Sequence, residues 1–204
     1  MRRLDQAPWT PGYDDCMLLS RRGRLPSRFL AAFFLAGVAA TPALTAEVPE
    51  TVDPAEIPRY QALRPNLAVG GQPSPQAMRR LGEMGFKTII NLRTRSEGAP
   101  EEGEVVRDLE LDYVWVPVKS NTLSLGDIEA VEEVLSDPER GPVLLHCGSS
   151  DRVGAVWAVI QVRAGRTVEE AEAAGRAAGL RSPANWEAVL RVLDTTPTPA
   201  RVNP

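Results

Sequence analysis

Apolar residues fall in two alternating patterns along this chain. Short apolar runs rich in β-branched residues recur between longer stretches with helical spacing. Leu67–Gly70, Lys87–Leu92, Tyr113–Val118 and Pro142–His146 have the length and composition of strands. The last is apolar almost without interruption, as expected of a strand buried on both faces at the centre of a parallel sheet. Between the strands the spacing turns helical. Ser74-Pro75 places a cap before a proline at the first helical position. Met78, Leu81 and Met84 follow on one face, with Gly85 as the stop. A short helix is predicted around Glu102–Leu109. Ser124-x-x-Asp127 has the form of a capping box ahead of Ile128, Val131 and Leu135. Val153–Ala164 is apolar nearly all round and predicts a buried helix. Thr167-x-x-Glu170 caps another helix. Ser182-Pro183 starts the last, with Trp186, Val189, Leu190 and Leu193 predicted to face inward.

Strands alternating with helices predict a single α/β domain, with a mainly parallel central sheet flanked by helices. In such sheets ligands bind outside the carboxyl ends of the strands. Three segments follow strand ends: Gly70-Gly71-Gln72, Arg93-Thr94-Arg95, and the stretch that begins at Cys147. They are therefore expected to converge on one pocket.

The ends of the chain read differently. Arg21, Arg22, Arg24 and Arg28 precede an apolar run from Phe29 to Ala40. Thr41-Pro42-Ala43 and Leu44-Thr45-Ala46 both have the small residues of a cleavage site. That order matches an export signal, and Ser20-Arg21-Arg22 carries a twin-arginine hint. The apolar core is short and alanine-rich for a membrane span, so an uncleaved anchor is the rival reading. Residues 1–16 are polar, which places the expected start at Met17. Residues 1–46 are thus expected to be a signal peptide, with a periplasmic or secreted product and no stable membrane span after cleavage. Residues 47–66 carry Pro49, Pro54, Pro58 and Pro65 and are expected to be an extended lead-in. Residues 67–194 form the domain, and 195–204, with three more prolines, a loose tail.

Composition narrows the chemistry. The net charge is -4, and no basic stripe alternates with aromatic residues, so nucleic acid is excluded as a partner. Cys16 lies ahead of the apolar run, which leaves Cys147 unpaired in the exported protein. His146 is the single histidine, which removes multi-histidine metal sites, and no cofactor is called for. In His146-Cys147-Gly148-Ser149-Ser150-Asp151-Arg152 a strand ends in a cysteine, a short polar loop follows, and an arginine opens a helix. Loop amides and the positive end of the helix favour a thiolate at Cys147. Arg152 offers a planar fork for an oxyanion. Together they could take a phosphoryl group onto sulfur.

The Cys147 loop resembles that of cysteine-dependent phosphatases of the tyrosine and dual-specificity type. Val69-Gly70-Gly71-Gln72-Pro73-Ser74, Gly85–Arg93, Val143–Cys147 and Arg152–Ala155 are more similar still to the phosphatase-like domain family of beta-lactamase hydrolase-like proteins, over roughly residues 58–194. The resemblance implies Cys147 as nucleophile through a phosphocysteine and Arg152 as the clamp on the equatorial oxygens. It implies His146 as a residue orienting the loop from below. Gly148, Ser149, Ser150, Val153 and Gly154 would line the phosphate. Arg93, Arg95 and Glu97 follow a strand end and read as a solvated charged loop or, more sharply, as a substrate-selecting rim. Gln72 would contact substrate or form a turn.

Two departures stand out. Four residues, not the usual five, separate Cys147 from Arg152, and Val153 stands where Ser or Thr is usual. Ser149 or Ser150 could take over that hydroxyl's role. The family's general acid is an Asp in the loop after the strand equivalent to Tyr113–Val118. Here that loop, Lys119–Leu123, has no carboxylate, and the capping pattern accounts for Asp127. Asp151 is the candidate acid, or else it holds Arg152 by an ion pair. The expected function is an exported, metal-independent phosphatase acting on a phosphorylated protein or small molecule. A sulfurtransferase with a Cys147 persulfide and a catalytically weak anion- or phosphoprotein-binding domain are the alternatives.

Overall fold

The structure, a computed structural model, describes residues 47–195. The expected signal segment, the expected start at Met17 and the tail beyond residue 195 lie outside the described residues. Five short strands form one sheet: β1 (Gln61–Arg64), β2 (Leu67–Gly70), β3 (Thr88–Asn91), β4 (Asp112–Trp115) and β5 (Val143–His146). Their order is β1-β2-β5-β3-β4. β1 runs antiparallel to β2, and every other neighbouring pair is parallel. The register is level at the carboxyl ends. Gly70, His146 and Asn91 sit side by side, and Trp115 extends the row. The chain leaves the middle of this row at Cys147, which places the Cys147 loop between two flanking strand ends.

Alternation along the strands divides the core into two layers. Leu67, Val69, Ile90, Val143 and Leu145 face α3 (Leu125–Ser136), α4 (Asp151–Arg163) and α6 (Pro183–Thr195). Ala68, Ile89 and Leu144 face the other way, toward Met78 of the single-turn α1 (Pro75–Met78), Leu81, Phe86, and Val106 of α2 (Ala99–Asp108). α4 has both layers' worth of apolar surface because α5 (Val168–Ala177) covers its outer side. The helices meet at glycines. A Cβ on Gly154 would fall 2.3 Å from Leu180 N and 2.5 Å from Gly175 O. The expected capping boxes form at Ser124 and Thr167, each closed by the carboxylate three residues on.

Three local expectations differ. The segment expected to be an extended lead-in is part of the domain: it supplies β1, and it buries Val48 and Ile57 in the second core layer. β1 reads as polar because it is an edge strand with mostly exposed side chains. The helix expected through Met84 ends after one turn, and Leu81 reaches the core from a series of turns. Leu190, expected inward, is 38% exposed, whereas Val192 is buried. The inward stripe of α6 runs through Trp186, Val189, Val192 and Leu193, at the three- and four-residue spacing of one helix face.

Candidate active site

β5 is buried along its whole length and delivers Cys147 to a nearly enclosed position, 1% exposed. The next two residues, Gly148 and Ser149, are exposed at the mouth of the loop. The loop is braced from the β2 side. Gln72 N donates to Gly148 O at 3.2 Å, and Gly71 bridges Ser149. Glycine is needed there: a Cβ on Gly71 would lie 3.1 Å from Pro58 O and 3.3 Å from Gly148 O. Ser150 then turns the chain into α4 with a left-handed φ of 68°. Its hydroxyl donates to Ala178 O at 2.8 Å, inside the protein. The opening amides of α4 have no partner within the helix and point back over the loop, at the positive end of its dipole.

Arg152 is 8% exposed and fully engaged at one end. Its Nη1 donates to Glu97 Oε2 at 2.9 Å and to the carbonyl oxygens of Val118 (2.8 Å) and Leu92 (3.3 Å). Its Nη2 donates to Glu97 Oε1 at 2.6 Å. Glu97 is held in turn by the backbone N–H and hydroxyl of Thr94, both at 2.8 Å. The Arg152 hydrogen bond, reinforced by Thr94 and by the guanidinium charge against a smaller cost of burial, pulls the Glu97 carboxyl down to about 2. Burial works against the charge of Arg152. The hydrogen bond and charge of Glu97, together with Cys147, outweigh it and keep the guanidinium ionised. The result is a permanently charged fork fixed beside the cysteine.

A second polar cluster lies beneath the row of strand ends. Glu102 Oε1 lies 2.8 Å from His146 Nε2 and accepts from Asn91 Nδ2 at 2.8 Å. Glu102 Oε2 accepts from Gln72 Nε2 at 2.7 Å and from Arg93 Nη1 at 3.2 Å. The His146 approach is short but poorly directed, since neither ring nitrogen has an aligned partner among the described residues. Burial alone would raise the Glu102 carboxyl. His146, Gln72 and Arg93 reverse that and hold it below the usual carboxylate range. Glu102 was not singled out from sequence. Its only local signal is an acidic residue in the first turn of a helix, which reads as solvated.

The structure brings Cys147, Arg152, Gly148 and Ser149 together and separates the other expected site residues from them. Asp151 does not face Arg152, because adjacent helical residues point to different sides. Its Oδ1 accepts from the backbone N–H of Arg181 (2.6 Å) and Ser182 (3.0 Å), and its Oδ2 from Asn185 Nδ2 (2.8 Å). The expected Asp151–Arg152 ion pair is therefore corrected: Arg152 pairs with Glu97, and Asp151 anchors the start of α6. Val153 is buried in the core, and Gly154 is spent on the contact with α5. The Ser150 hydroxyl is turned inward. The Val153 side chain and the Ser150 hydroxyl are thus turned away from the loop mouth, and Gly154 N donates to Ser150 O at 2.9 Å. Arg93 is likewise neither rim nor solvated loop; it ties Gln72 to Glu102. Asp127 caps α3, as its pattern predicts.

A groove of about 520 Å³ is lined by Thr94, Arg95, Ser96, Trp115, Pro117 and Lys119. Trp115 forms its floor, fixed by Nε1 donating to Arg93 O at 2.7 Å, and Arg95 lies over the ring at 5.5 Å. The groove does not include Cys147, but Glu97 and Val118, which hold Arg152, are chain neighbours of its lining residues Ser96, Pro117 and Lys119.

Residues 59–164, more than half the chain, match the family described as beta-lactamase hydrolase-like protein, phosphatase-like domain. The chain belongs to this family. A beta-lactamase hydrolase-like protein of Xylella fastidiosa (strain 9a5c) is 33% identical over 127 residues, which is 59% of this chain and 29% of that protein. The chain thus spans less than a third of the length of this curated relative. Among solved structures, a candidate phosphatase of the DUF442 group from Shewanella putrefaciens CN-32 matches with a TM-score of 0.56 at 24% identity, covering 68% of this chain and 88% of that one. TpbA of P. aeruginosa matches with a TM-score of 0.57 at 17% identity, covering 78% and 94%. At these identities the structural matches speak to the fold, and they agree with the α/β architecture and mainly parallel sheet.

Proposed function

We propose that the domain is a cysteine-dependent phosphatase that hydrolyses phosphate monoesters through a phosphocysteine at Cys147. One observation carries this reading: a charged Arg152 is locked beside Cys147 at the carboxyl end of the central strand, under the first amides of α4. In the first step the Cys147 thiolate attacks phosphorus. The S–P bond forms, the P–O ester bond breaks, and the leaving oxygen takes a proton. In the second, water attacks phosphorus, the S–P bond breaks, and phosphate leaves with the thiolate restored. Arg152 and the loop amides bind the equatorial oxygens, whose charge is concentrated in the transition state. Both carboxylates that flank the loop, Glu97 and Asp151, are committed to other partners. The leaving group therefore takes its proton from water, and good leaving groups are favoured. The groove over Trp115 accepts the leaving group, its two cations favouring an acidic one.

The test is phosphate release from an aryl phosphate by the reduced protein beside Cys147→Ser. Cysteine-dependent release supports the reading. No release from a reactive thiol that instead takes up sulfur from thiosulfate moves the function to sulfur transfer, and oxyanion binding without turnover moves it to a binding domain. Residues 1–46 support export to the periplasm or beyond. A reporter active only outside the cytoplasm, fused after residue 46, should be active, and an inactive fusion would refute export.

A further inference from the structure

Two arginines at the loop mouth have charges that the proposed chemistry does not use. Arg59 Nη1 donates to Ser149 O at 3.2 Å, and Arg181 Nη2 donates to the same oxygen at 2.9 Å. They come from segments 90 and 32 residues away from Ser149. Both are exposed, and among the described residues neither forms an ion pair with a carboxylate. Guanidinium groups that share one oxygen at hydrogen-bond distance lie within about 6 Å of each other. A neutral carbonyl uses one donor from each and leaves the like charges facing. An anion would satisfy the remaining donors and both charges.

The pair is held in place by the fold. Arg59 sits at a left-handed φ of 55°, at the end of a turn pinned to β2 by Gly71 N donating to Pro58 O at 2.7 Å. Gly70 admits that turn, since a Cβ there would fall 2.6 Å from Ile57 Cγ2. Arg181 is fixed through its own backbone N–H on Asp151. The nearby acids do not compete for the pair: Asp151 accepts from Arg181 N, Ser182 N and Asn185 Nδ2, and Glu97 is paired with Arg152. Ser149 lies two residues past Cys147, so the pair stands at the rim of the position that Arg152 serves.

We infer that Arg59 and Arg181 form a second anion subsite, which takes a second phosphate carried close to the one on Cys147. The substrate would then be a diphosphate or a closely spaced bisphosphate. This inference rests on the phosphatase reading for the first subsite only.

The experiment is protection of Cys147 from iodoacetate, with orthophosphate and pyrophosphate as probes and no turnover required. The reduced full chain, Arg59→Gln, Arg181→Gln and the double variant are compared, with thermal melts to show each is folded. Pyrophosphate should protect the unaltered protein at about tenfold lower concentration than orthophosphate, since two exposed, solvent-screened charge contacts are together worth about that factor. The double variant should lose the preference while orthophosphate protection stays within about twofold. Equal protection by the two anions in the unaltered protein, or a preference that survives in the double variant, would overturn the subsite alone. A folded double variant that no longer responds to orthophosphate would assign the arginines to bracing the loop, and also overturn it. Protection by neither anion would overturn the first subsite, and this one with it.

Discussion

Replacing Glu97 with Gln distinguishes a carboxylate that holds Arg152 in place from one that competes with substrate for it. The pair is bidentate, at 2.6 and 2.9 Å, and Arg152 is 8% exposed. Breaking a fully buried pair by removing one partner costs about 3–5 kcal/mol. The Glu97 side chain is 36% exposed, and Arg152 keeps the carbonyls of Leu92 and Val118. Solvent screening and these remaining acceptors bring the expected loss to about 1–2 kcal/mol. For a domain of this size that lowers Tm by about 2–8 °C. Activity toward an aryl phosphate should fall by about tenfold in kcat/KM, because a fork that can swing no longer meets the equatorial oxygens. The pH dependence supplies a second readout. The Glu97 carboxyl titrates at about 2 in the folded protein against an ordinary 4.5. Its contribution is complete above the ordinary value and is lost as pH falls through the folded one. Between those limits the unaltered protein should lose stability on acidification, and Glu97→Gln should lose less. Calorimetric melts across that range and steady-state kinetics read both effects. A variant that is equally stable, with a lower KM and higher kcat/KM, would refute the reasoning and make Glu97 a competitor for the phosphate position.

Other substitutions test the remaining assignments. Asp151→Asn should cost about 1–3 kcal/mol, since an amide cannot accept from all three donors at the start of α6. It should slow good and poor leaving groups by the same factor, and a selective loss with poor ones in a leaving-group series would identify Asp151 as the acid. Glu102→Gln should destabilise by about 1–3 kcal/mol in denaturant titrations, because it leaves the partly buried Arg93 without its anion and disturbs the buried contacts to Asn91 and Gln72. An unchanged midpoint would contradict this. Gly154→Ala should cost about 3 kcal/mol, as its Cβ meets backbone of Leu180 and Gly175 that cannot move aside without parting α4 from α5. A melt within a degree of the unaltered protein would show that the helices are not so closely packed. Turnover should fall steeply as the leaving group becomes more basic, and a flat series would reveal a proton donor.

The candidate centre is legible in the sequence because its signals are local. An uninterrupted apolar strand, a cysteine at its end and an arginine opening a buried helix fix Cys147 and Arg152 within seven consecutive residues. The partner of Arg152 is not, because Glu97 lies 55 residues away in a charge-rich loop that reads as solvated. Asp151 misled for the opposite reason: sequence adjacency to Arg152 suggested an ion pair, while the helix turns the two side chains apart. The segment ahead of residue 67 was misjudged because an exposed edge strand leaves no apolar alternation. Its worth, Ile57 in the core and Arg59 at the loop, appears only when Gly70 and Gly71 let the chain pack against β2. The Val153 side chain and the missing Cβ of Gly154 are explained by packing against the sheet and α5, which the motif alone does not reveal.

The most direct measurement is to quench the protein with acid during turnover of an aryl phosphate and map the trapped phosphoryl group by peptide mass. Phosphorylation of Cys147, absent from Cys147→Ser and accumulating in a burst ahead of steady-state phosphate release, is the predicted result. Cysteine-dependent turnover with the phosphoryl group on another residue, or full turnover by Cys147→Ser, would contradict a phosphocysteine mechanism.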